Sequence, residues 1–244
     1  MAGILFIISA PSGSGKSTLV NQLRTFASGL EFSVSYTTRA PRGSEEGGRE
    51  YHFTTREEFE RMIAAGEFLE YADVFGNYYG TARSSLTDAE RDGKDLLLDI
   101  DVQGATQVRE KIPDAVSIFV MPPTPEILAT RLRNRSRAEG HIDEQVIGRR
   151  LAKARQEIEN YRQYGYILVN DILDRAVEEL AAIVSSERIR RSGGTIDTEA
   201  ARQIAIAEAC RQRNSMERLR PVLASFGLVE TEPQCVPNRT TLDS

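Results

Sequence analysis

The sequence predicts an α/β protein whose parallel central sheet is covered by helices on both faces. Strand-like and helix-like patterns alternate along the chain, which is typical of parallel strands joined by helical crossovers. The strand-like segments are continuous apolar runs, as expected of strands that are buried on both faces. These runs are residues 4–8, 96–101, 116–121 and 166–169.

Helix-capping signals place helices between these strands. Residues 55–58 read T-R-E-E, a capping box at the start of a helix that Gly66 is expected to end. Residues 124–125 combine a threonine N-cap with proline at the first helical position. Two longer helices are predicted at about 143–164 and 173–190.

The composition predicts one main domain with a sizeable core. The chain has 244 residues, 40% of them hydrophobic and 27% charged. Its net charge of −5 does not favour a broad nucleic-acid-binding surface, and no apolar run is long enough to span a membrane. The two cysteines, Cys210 and Cys235, do not have the spacing of metal ligands, and two cysteines are too few for a disulfide framework. We therefore expect a cytoplasmic protein without nucleic-acid or membrane partners.

The alternation of strand-like and helix-like segments ends at the Ser-Gly-Gly of residues 192–194. Residues 1–190 are predicted to form the main domain, and residues 191–244 a C-terminal extension. Residues 198–225 have the pattern of one or two amphipathic helices interrupted near Pro221, and the chain from about 230 is expected to be disordered. The extension is open to three interpretations: packing on the core, self-association or binding of a regulator. The default expectation is a solvated, partly disordered tail, and the oligomeric state stays open.

Residues 10–17 read A-P-S-G-S-G-K-S and follow the first apolar run directly. Glycines let such a loop wrap round phosphates, and its N–H groups and the following helix N-terminus favour anions. Lys16 is expected to reach the β- and γ-phosphates of a nucleoside triphosphate, and the Ser17 hydroxyl to ligate Mg²⁺. The residues assigned to the triphosphate are Ala10, Pro11, Ser12, Gly13, Ser14, Gly15, Lys16, Ser17 and Thr18.

A second group of residues predicts a phosphorylated acceptor. Arg39 and Arg42 lie three residues apart in a hydroxyl-rich segment, and two guanidinium forks suit a phosphate dianion. Tyr51 can donate a further hydrogen bond. Glu70, with the hydroxyls near Thr81, can accept from the N1–H and the amino group of guanine. Adenine would leave that carboxylate unpaired, which costs about 1–3 kcal/mol for a buried group.

Together these segments resemble the guanylate kinase family over residues 3–189. The motifs that carry the resemblance are the P-loop, S-V-S-x-T-T-R-x-P-R, G-x-x-Y-x-F, F-L-E-Y, G-N-Y-Y-G, L-D-I-D-V-Q-G and V-N-D. The resemblance implies a P-loop NTPase-type sheet, a small mixed GMP-binding subdomain at about 35–90 and a helical lid at about 131–150. It also implies transfer of a phosphoryl group from Mg-ATP to GMP, with dGMP as a further candidate acceptor.

The resemblance also assigns roles to individual residues. The GMP phosphate is assigned to Ser35, Arg39, Arg42, Tyr51 and Tyr79. Guanine is assigned to Glu70 and Thr81, with Asp101 on the GMP side. Asp99 is expected to organise Mg²⁺ with Ser17, and Asn170 to lie near the adenine of ATP.

Three arginines are expected to close over the phosphates. Arg131 and Arg135 share one helix face at i and i+4, and Arg150 follows on the next helix. With Lys16 they are assigned to charge neutralisation during in-line transfer. The GMP-binding residues and the lid are expected to close on the central sheet and exclude water.

The chain departs from the family pattern in three places. Ala10 stands where the strict P-loop has glycine, and it fits provided that its φ is negative. The lid loop at 136–142 is atypical, and Ile172 stands where a second aspartate is common.

Two other functions stay open at this point. Guanylate-kinase-like domains can serve as phosphopeptide-binding modules, and a kinase of the same fold can act on another small phosphorylated acceptor. The intact Lys16, Ser17 and lid arginines favour an enzyme, and Glu70 with Thr81 favours guanine.

Overall fold

A computed structural model describes residues 3–43, 45–138, 143–193 and 196–228. Its main sheet contains five parallel strands, which confirms the predicted fold class. In sheet order the strands are β2 (Leu30–Phe32), β7 (Asp95–Asp99), β1 (Leu5–Ser9), β8 (Val116–Met121) and β9 (Tyr166–Val169).

Helices cover both faces of this sheet because successive strand residues point to opposite sides. Leu5 and Ile7 belong to one apolar cluster, whereas Phe6 and Ile8 belong to the other. The helices on the side of Leu5 are α4 (Val102–Lys111), α5 (Pro125–Ala138) and α6 (Glu144–Ile158). The helices on the side of Phe6 are α1 (Lys16–Arg24) and α7 (Leu173–Ser192).

The predicted helices are present with shifted ends. The segment predicted at 143–164 is α6 followed by a 3₁₀ turn, Glu159–Gln163. α7 continues to Ser192, where Gly193 ends it with a φ of 63°. The described helices include none with the length and apolarity that a membrane crossing requires.

A smaller mixed sheet forms an insert between β2 and β7. Its strands, in sheet order, are β4 (His52–Phe53), β3 (Tyr36–Thr37), β6 (Asn77–Ala82) and β5 (Phe68–Val74). Helix α2 (Arg56–Ala64) packs on this sheet through Phe59, whose ring stacks on Phe68 and Tyr78. Thr55 caps α2 as predicted, and Gly66 follows the helix with a φ of 68°. Helix α3 (Arg83–Arg91) leads from the insert back to β7.

The described part of the C-terminal extension is packed, so the default expectation of a solvated tail is wrong for it. Its helices are α8 (Thr198–Ala209) and α9 (Met216–Ser225). The side chains of Leu219, Val222, Leu223 and Phe226 are buried in the same cluster as α6. The predicted disorder from about 230 lies outside the described residues.

The break between the two extension helices lies at residues 210–215 and not near Pro221, which is inside α9. The reason is backbone pairing with β9, the edge strand of the main sheet. Ile167 donates a 2.8 Å hydrogen bond to the carbonyl of Cys210, and Gln212 donates a 3.0 Å bond to that of Gly165. Arg211 thus forms a single antiparallel bridge with Tyr166 at the sheet edge, and residues 212–214 follow it as a 3₁₀ turn.

Candidate active site

A cavity of about 730 Å³ lies at the carboxyl ends of β1 and β7. The insert, α5 and α6 form its other walls. Ligands bind at this edge of parallel α/β sheets because the loops that follow the strands converge there. Every residue that the sequence assigns to a site lines this cavity except Thr81.

The loop after β1 has the backbone that its sequence predicts. Gly13 and Gly15 have φ angles of 90° and 87°, and a Cβ on Gly15 would collide with the side-chain amide of Asn170. Among the described residues, Phe75 is the non-glycine residue with a positive φ. Ala10 therefore has a negative φ, which is the condition for alanine at this position of the loop. Helix α1 begins at Lys16 and aims its N-terminus into the cavity.

Lys16 is held at the end of β7. Its Nζ donates a 2.6 Å hydrogen bond to the carbonyl of Ile100 and forms an ion pair with Asp99. Asp99 and Ser17 both line the cavity, and their oxygens are the type of ligand that Mg²⁺ takes. Among the described residues no group of three or more His, Cys, Asp or Glu side chains could hold a metal ion alone. The donor set therefore fits a Mg²⁺ that is held mainly by substrate phosphates.

Arg131 connects α5 to the loop after β1. It donates to the carbonyl of Ser14 at 3.1 Å and to that of Asn170 at 2.9 Å. The Asn170 amide donates to the same Ser14 carbonyl at 2.7 Å, so both side chains brace this loop. Burial lowers the pKa of Arg131. Arg135 and Arg150 line the cavity from α5 and α6, as the sequence predicts.

Arg39 lies at the centre of the predicted phosphate site. Its Nε donates to the Tyr79 hydroxyl at 3.2 Å, and its guanidinium lies 5.3 Å from the ring centre of Tyr51. Burial lowers the pKa of Arg39, but hydrogen bonds to Glu45 and Tyr79 outweigh burial and raise it. Burial also raises the pKa of Tyr51 to about 12, so this phenol remains a hydrogen-bond donor.

Glu45 is a site residue that sequence reasoning missed. Its carboxylate accepts from Arg39 Nη2 at 2.9 Å and from the backbone N–H of Arg42 at 2.8 Å. The Glu45 carboxylate therefore already occupies one edge of the Arg39 guanidinium and also holds the backbone at Arg42. In the sequence, the indication of this role was an acidic residue three positions after Arg42.

Glu70 is buried where the insert meets α4. It lies opposite Thr81 in the pairing of β5 with β6, and the close approach of α4 requires glycine at position 104. Burial raises the pKa of Glu70 to about 7, the charge of Asp101 adds to this rise, and Thr81 and Lys16 oppose it. The Thr81 hydroxyl is buried beside the Glu70 carboxylate, and Thr81 does not itself line the cavity.

Helix α6 contributes two cavity residues that the sequence analysis did not single out. Lys153 and Glu157 line the cavity together with Arg150. The three positions have the spacing i, i+3 and i+7, which places them on one helix face. That spacing was the signal in the sequence.

The family model described as guanylate kinase matches residues 3–187. The chain belongs to the guanylate kinase family. Its membership explains why the family motifs converge on one cavity, although they are far apart in the sequence.

Individual guanylate kinases resemble the chain over most of its length. The guanylate kinase of Koribacter versatilis (strain Ellin345) is 56% identical over 234 residues, which are 96% of this chain and 100% of that protein. The guanylate kinase of Neisseria meningitidis serogroup A is 52% identical over 190 residues, 78% of this chain and 91% of that protein. The Koribacter match therefore reaches well into the C-terminal extension.

A solved structure supports the same assignment. The crystal structure of guanylate kinase from Anaplasma phagocytophilum has a TM-score of 0.60 and 33% sequence identity, and the match covers 94% of this chain and 97% of that one. The parallel sheet with flanking helices is thus the fold of a guanylate kinase.

Proposed function

We propose that the protein transfers the γ-phosphoryl group of Mg-ATP to GMP, which yields ADP and GDP. The observation that carries the proposal is one cavity that contains the phosphate-binding loop, the Arg39–Tyr79 cluster and the Glu70 carboxylate. A triphosphate on the loop and a monophosphate on the arginines would face each other across it. The family membership and the relatives named guanylate kinase support the same activity.

The donor nucleotide is assigned to the loop after β1 and to the residues that brace it. Backbone N–H groups of residues 10–18 would hold the phosphates, and Asn170 would lie near adenine. Ser17 and Asp99 would hold Mg²⁺, which neutralises phosphate charge when it is bound. Lys16 would then exchange part of its contact with Asp99 for the β- and γ-phosphates.

The acceptor nucleotide is assigned to the insert. Ser35, Arg39 and Arg42 would hold the GMP phosphate, with hydroxyl donors from Tyr51 and Tyr79. Glu70 would accept hydrogen bonds from guanine N1–H and its amino group, and Asp101 would lie on the same side. Thr81 would act from beside Glu70, where its buried hydroxyl can donate a hydrogen bond that orients the carboxylate.

The chemical step requires positioning and charge neutralisation. A phosphate oxygen of GMP forms a bond to the γ-phosphorus while the bond from that phosphorus to the β–γ bridging oxygen breaks, and ADP leaves. The attacking oxygen is already anionic, so no general base is needed. Lys16, Arg131, Arg135 and Arg150 would stabilise the charge on the transferring group, and Arg131 must exchange a carbonyl partner for a phosphate oxygen.

The proposal is tested by measuring ADP release with GMP, AMP, CMP or UMP as acceptor, in the parent and in Glu70→Gln. We expect GMP to be strongly preferred by the parent. In Glu70→Gln the kcat/KM for GMP should fall roughly tenfold to a hundredfold relative to AMP, because an amide offers one acceptor and turns a donor toward guanine.

Glu67→Gln is the matched control, since Glu67 pairs with Arg61 on the exposed side of the insert and should keep the parent's selectivity. Parent protein that releases no ADP in response to GMP would contradict the proposed reaction and favour a binding module. Unchanged selectivity in Glu70→Gln would contradict the assigned role of Glu70.

GMP binding is expected to strengthen as the pH rises from about 6 to about 8. The pKa of Glu70 is about 7 without ligand, so the carboxyl is mostly protonated at the lower pH. Guanine donates hydrogen bonds to the ionised form, and binding must therefore release a proton below this pKa. The dissociation constant should change by up to about tenfold per pH unit there.

Calorimetric titration at several pH values measures this effect. The phosphate of GMP also titrates in this range, so the readout is the difference between the parent and Glu70→Gln. The variant retains the phosphate titration and lacks the carboxyl titration. Identical pH profiles for the two proteins would exclude Glu70 as the source.

We also propose a cytoplasmic location, which rests on cysteine usage. Cys210 is a free, buried thiol, as expected of a protein in a reducing compartment. Cys235 lies outside the described residues.

A further inference from the structure

Glu157 is a carboxylate in the substrate cavity that the roles assigned above do not use. It lies near the end of α6, lines the cavity and is largely withdrawn from solvent, with 15% of its side chain exposed. Its ion-pair partner among the described residues is Lys153, at a distance of 3.7 Å, which is longer than a hydrogen bond. The carboxylate therefore has acceptor capacity that is available to a ligand.

Lys153 neutralises Glu157 only in part. The Lys153 ammonium also lies over the ring of Phe75, 4.6 Å from its centre, at the tip of the hairpin formed by β5 and β6. Burial raises the pKa of Glu157; Lys153 and Lys16 oppose this rise, whereas Asp101 adds to it. The Glu157 carboxylate therefore lies within electrostatic range of both Lys16 and Asp101.

A carboxylate at this place is unfavourable for nucleotide binding unless it accepts hydrogen bonds. Both substrates are polyanions, and their phosphates are repelled by a second negative charge. The groups of a nucleoside monophosphate that can donate to a carboxylate are the base edge and the sugar hydroxyls. Glu70 is assigned to the base edge, and the Arg39 cluster to the phosphate.

The sugar lies between base and phosphate in any nucleotide. With the base at Glu70 on β5 and the phosphate at Arg39, which bonds Tyr79 on β6, the sugar would lie beside the hairpin that these two strands form. Lys153 of α6 contacts the tip of that hairpin at Phe75, so α6 supplies the neighbouring wall of the cavity. Glu157 is the acidic residue of α6 on that wall, and Asp101 lies within electrostatic range of it. The sugar hydroxyls would therefore face Glu157 on this wall.

We propose that the Glu157 carboxylate accepts a hydrogen bond from the ribose 2′-hydroxyl of GMP and so favours GMP over dGMP as the acceptor. This inference rests on the proposed function and adds a specificity-determining residue to it. Loss of a hydrogen bond to a charged group commonly changes a specificity ratio by about tenfold or more.

The test compares kcat/KM for GMP and dGMP in the full-length parent, Glu157→Gln and Glu157→Leu. We expect the parent to prefer GMP by about tenfold or more. The preference should fall several-fold in Glu157→Gln, which keeps one weaker acceptor, and approach unity in Glu157→Leu. The loss should lie mainly in the constant for GMP. Glu159→Leu, an exposed position two residues away, is the matched control and should keep the parent's ratio.

Three outcomes would count against this assignment or its basis. A GMP/dGMP ratio that is unchanged in both Glu157 variants would overturn it, whether both constants stay the same or fall equally; an equal fall indicates a structural role. If the parent is active and uses GMP and dGMP equally, the proposed ribose contact is wrong but the proposed function is not contradicted. A parent without any GMP-dependent ADP release would contradict the proposed function itself.

Discussion

Replacement of Lys16 by methionine is expected to lower kcat by roughly 10³ or more and to leave the fold intact. Methionine has a similar length but carries no charge, so the variant removes the cation that is positioned by Ile100 and Asp99. In phosphoryl transfer the charge on the transferring oxygens has to be neutralised by groups that are already in place. The measured quantity is the rate of ADP release at saturating GMP and ATP.

Lys94→Met is the control for this experiment. Lys94 forms an exposed ion pair with Glu31 at 2.6 Å, far from the cavity, and its loss should change the rate less than twofold. Thermal unfolding of both variants checks that the fold is retained. A fall in kcat of less than tenfold in Lys16→Met would show that Lys16 does not stabilise the transferring group.

Deletion of residues 196–244 is expected to prevent stable folding. The deletion removes the buried side chains of Leu219, Val222, Leu223 and Phe226 from the cluster that contains α6. At about 1.5–3 kcal/mol for each large apolar side chain, their burial is comparable to the whole stability of a typical domain, about 5–15 kcal/mol. The deletion also exposes the edge of β9.

Electrostatic partners are lost in the same deletion. Arg218 donates to the Ile167 carbonyl at 2.9 Å and pairs with the mostly buried Glu179 at 2.5 Å. Arg211 pairs with buried Glu187 at 2.9 Å. Glu179 would lose its arginine, which is a further destabilisation, whereas Glu187 would keep Arg190 at 3.3 Å and the Tyr166 hydroxyl.

Soluble yield and thermal unfolding of the truncated chain measure this effect. A finer comparison is Leu219→Ala, expected to cost about 2–5 kcal/mol in unfolding free energy, against Ile196→Ala at an exposed position, expected within about 0.5 kcal/mol. A truncated protein that keeps the parent's melting temperature and turnover would show that the extension is an independent appendage.

The sequence predicts the structure best in segments where a single physical requirement determines the residue types. Strands buried on both faces must be apolar throughout, and β1, β8 and β9 therefore appear as uninterrupted runs with nearly correct ends. The predicted strand at 96–101 ends early, at Asp99, because Asp101 already caps α4 by accepting from the backbone of Gly104. The loop at 10–17 was equally clear, since few other segments combine its glycines with Lys16.

Tertiary packing decided the features that the sequence did not reveal. Pro221 predicts a break in a helix, yet the burial of Leu219, Val222 and Leu223 keeps α9 continuous through it. Glu45 could not be distinguished from Glu46 in the same loop, because only the fold brings its carboxylate to Arg39. Counter-charges of this kind depend on distance in space and leave no periodic pattern in the chain.

The apolar cluster that α6 shares with α9 limits how this helix could move as part of the proposed lid. Ala154 and Ile158 have no exposed surface and share their apolar cluster with Leu219 and Phe226. Ile147, nearer the start of α6, is 1% exposed and belongs to the same cluster. Swinging either end of the helix outward would therefore bring apolar surface into contact with water. A chain segment far from the nucleotides would thus restrain the helix that carries Arg150 and Glu157.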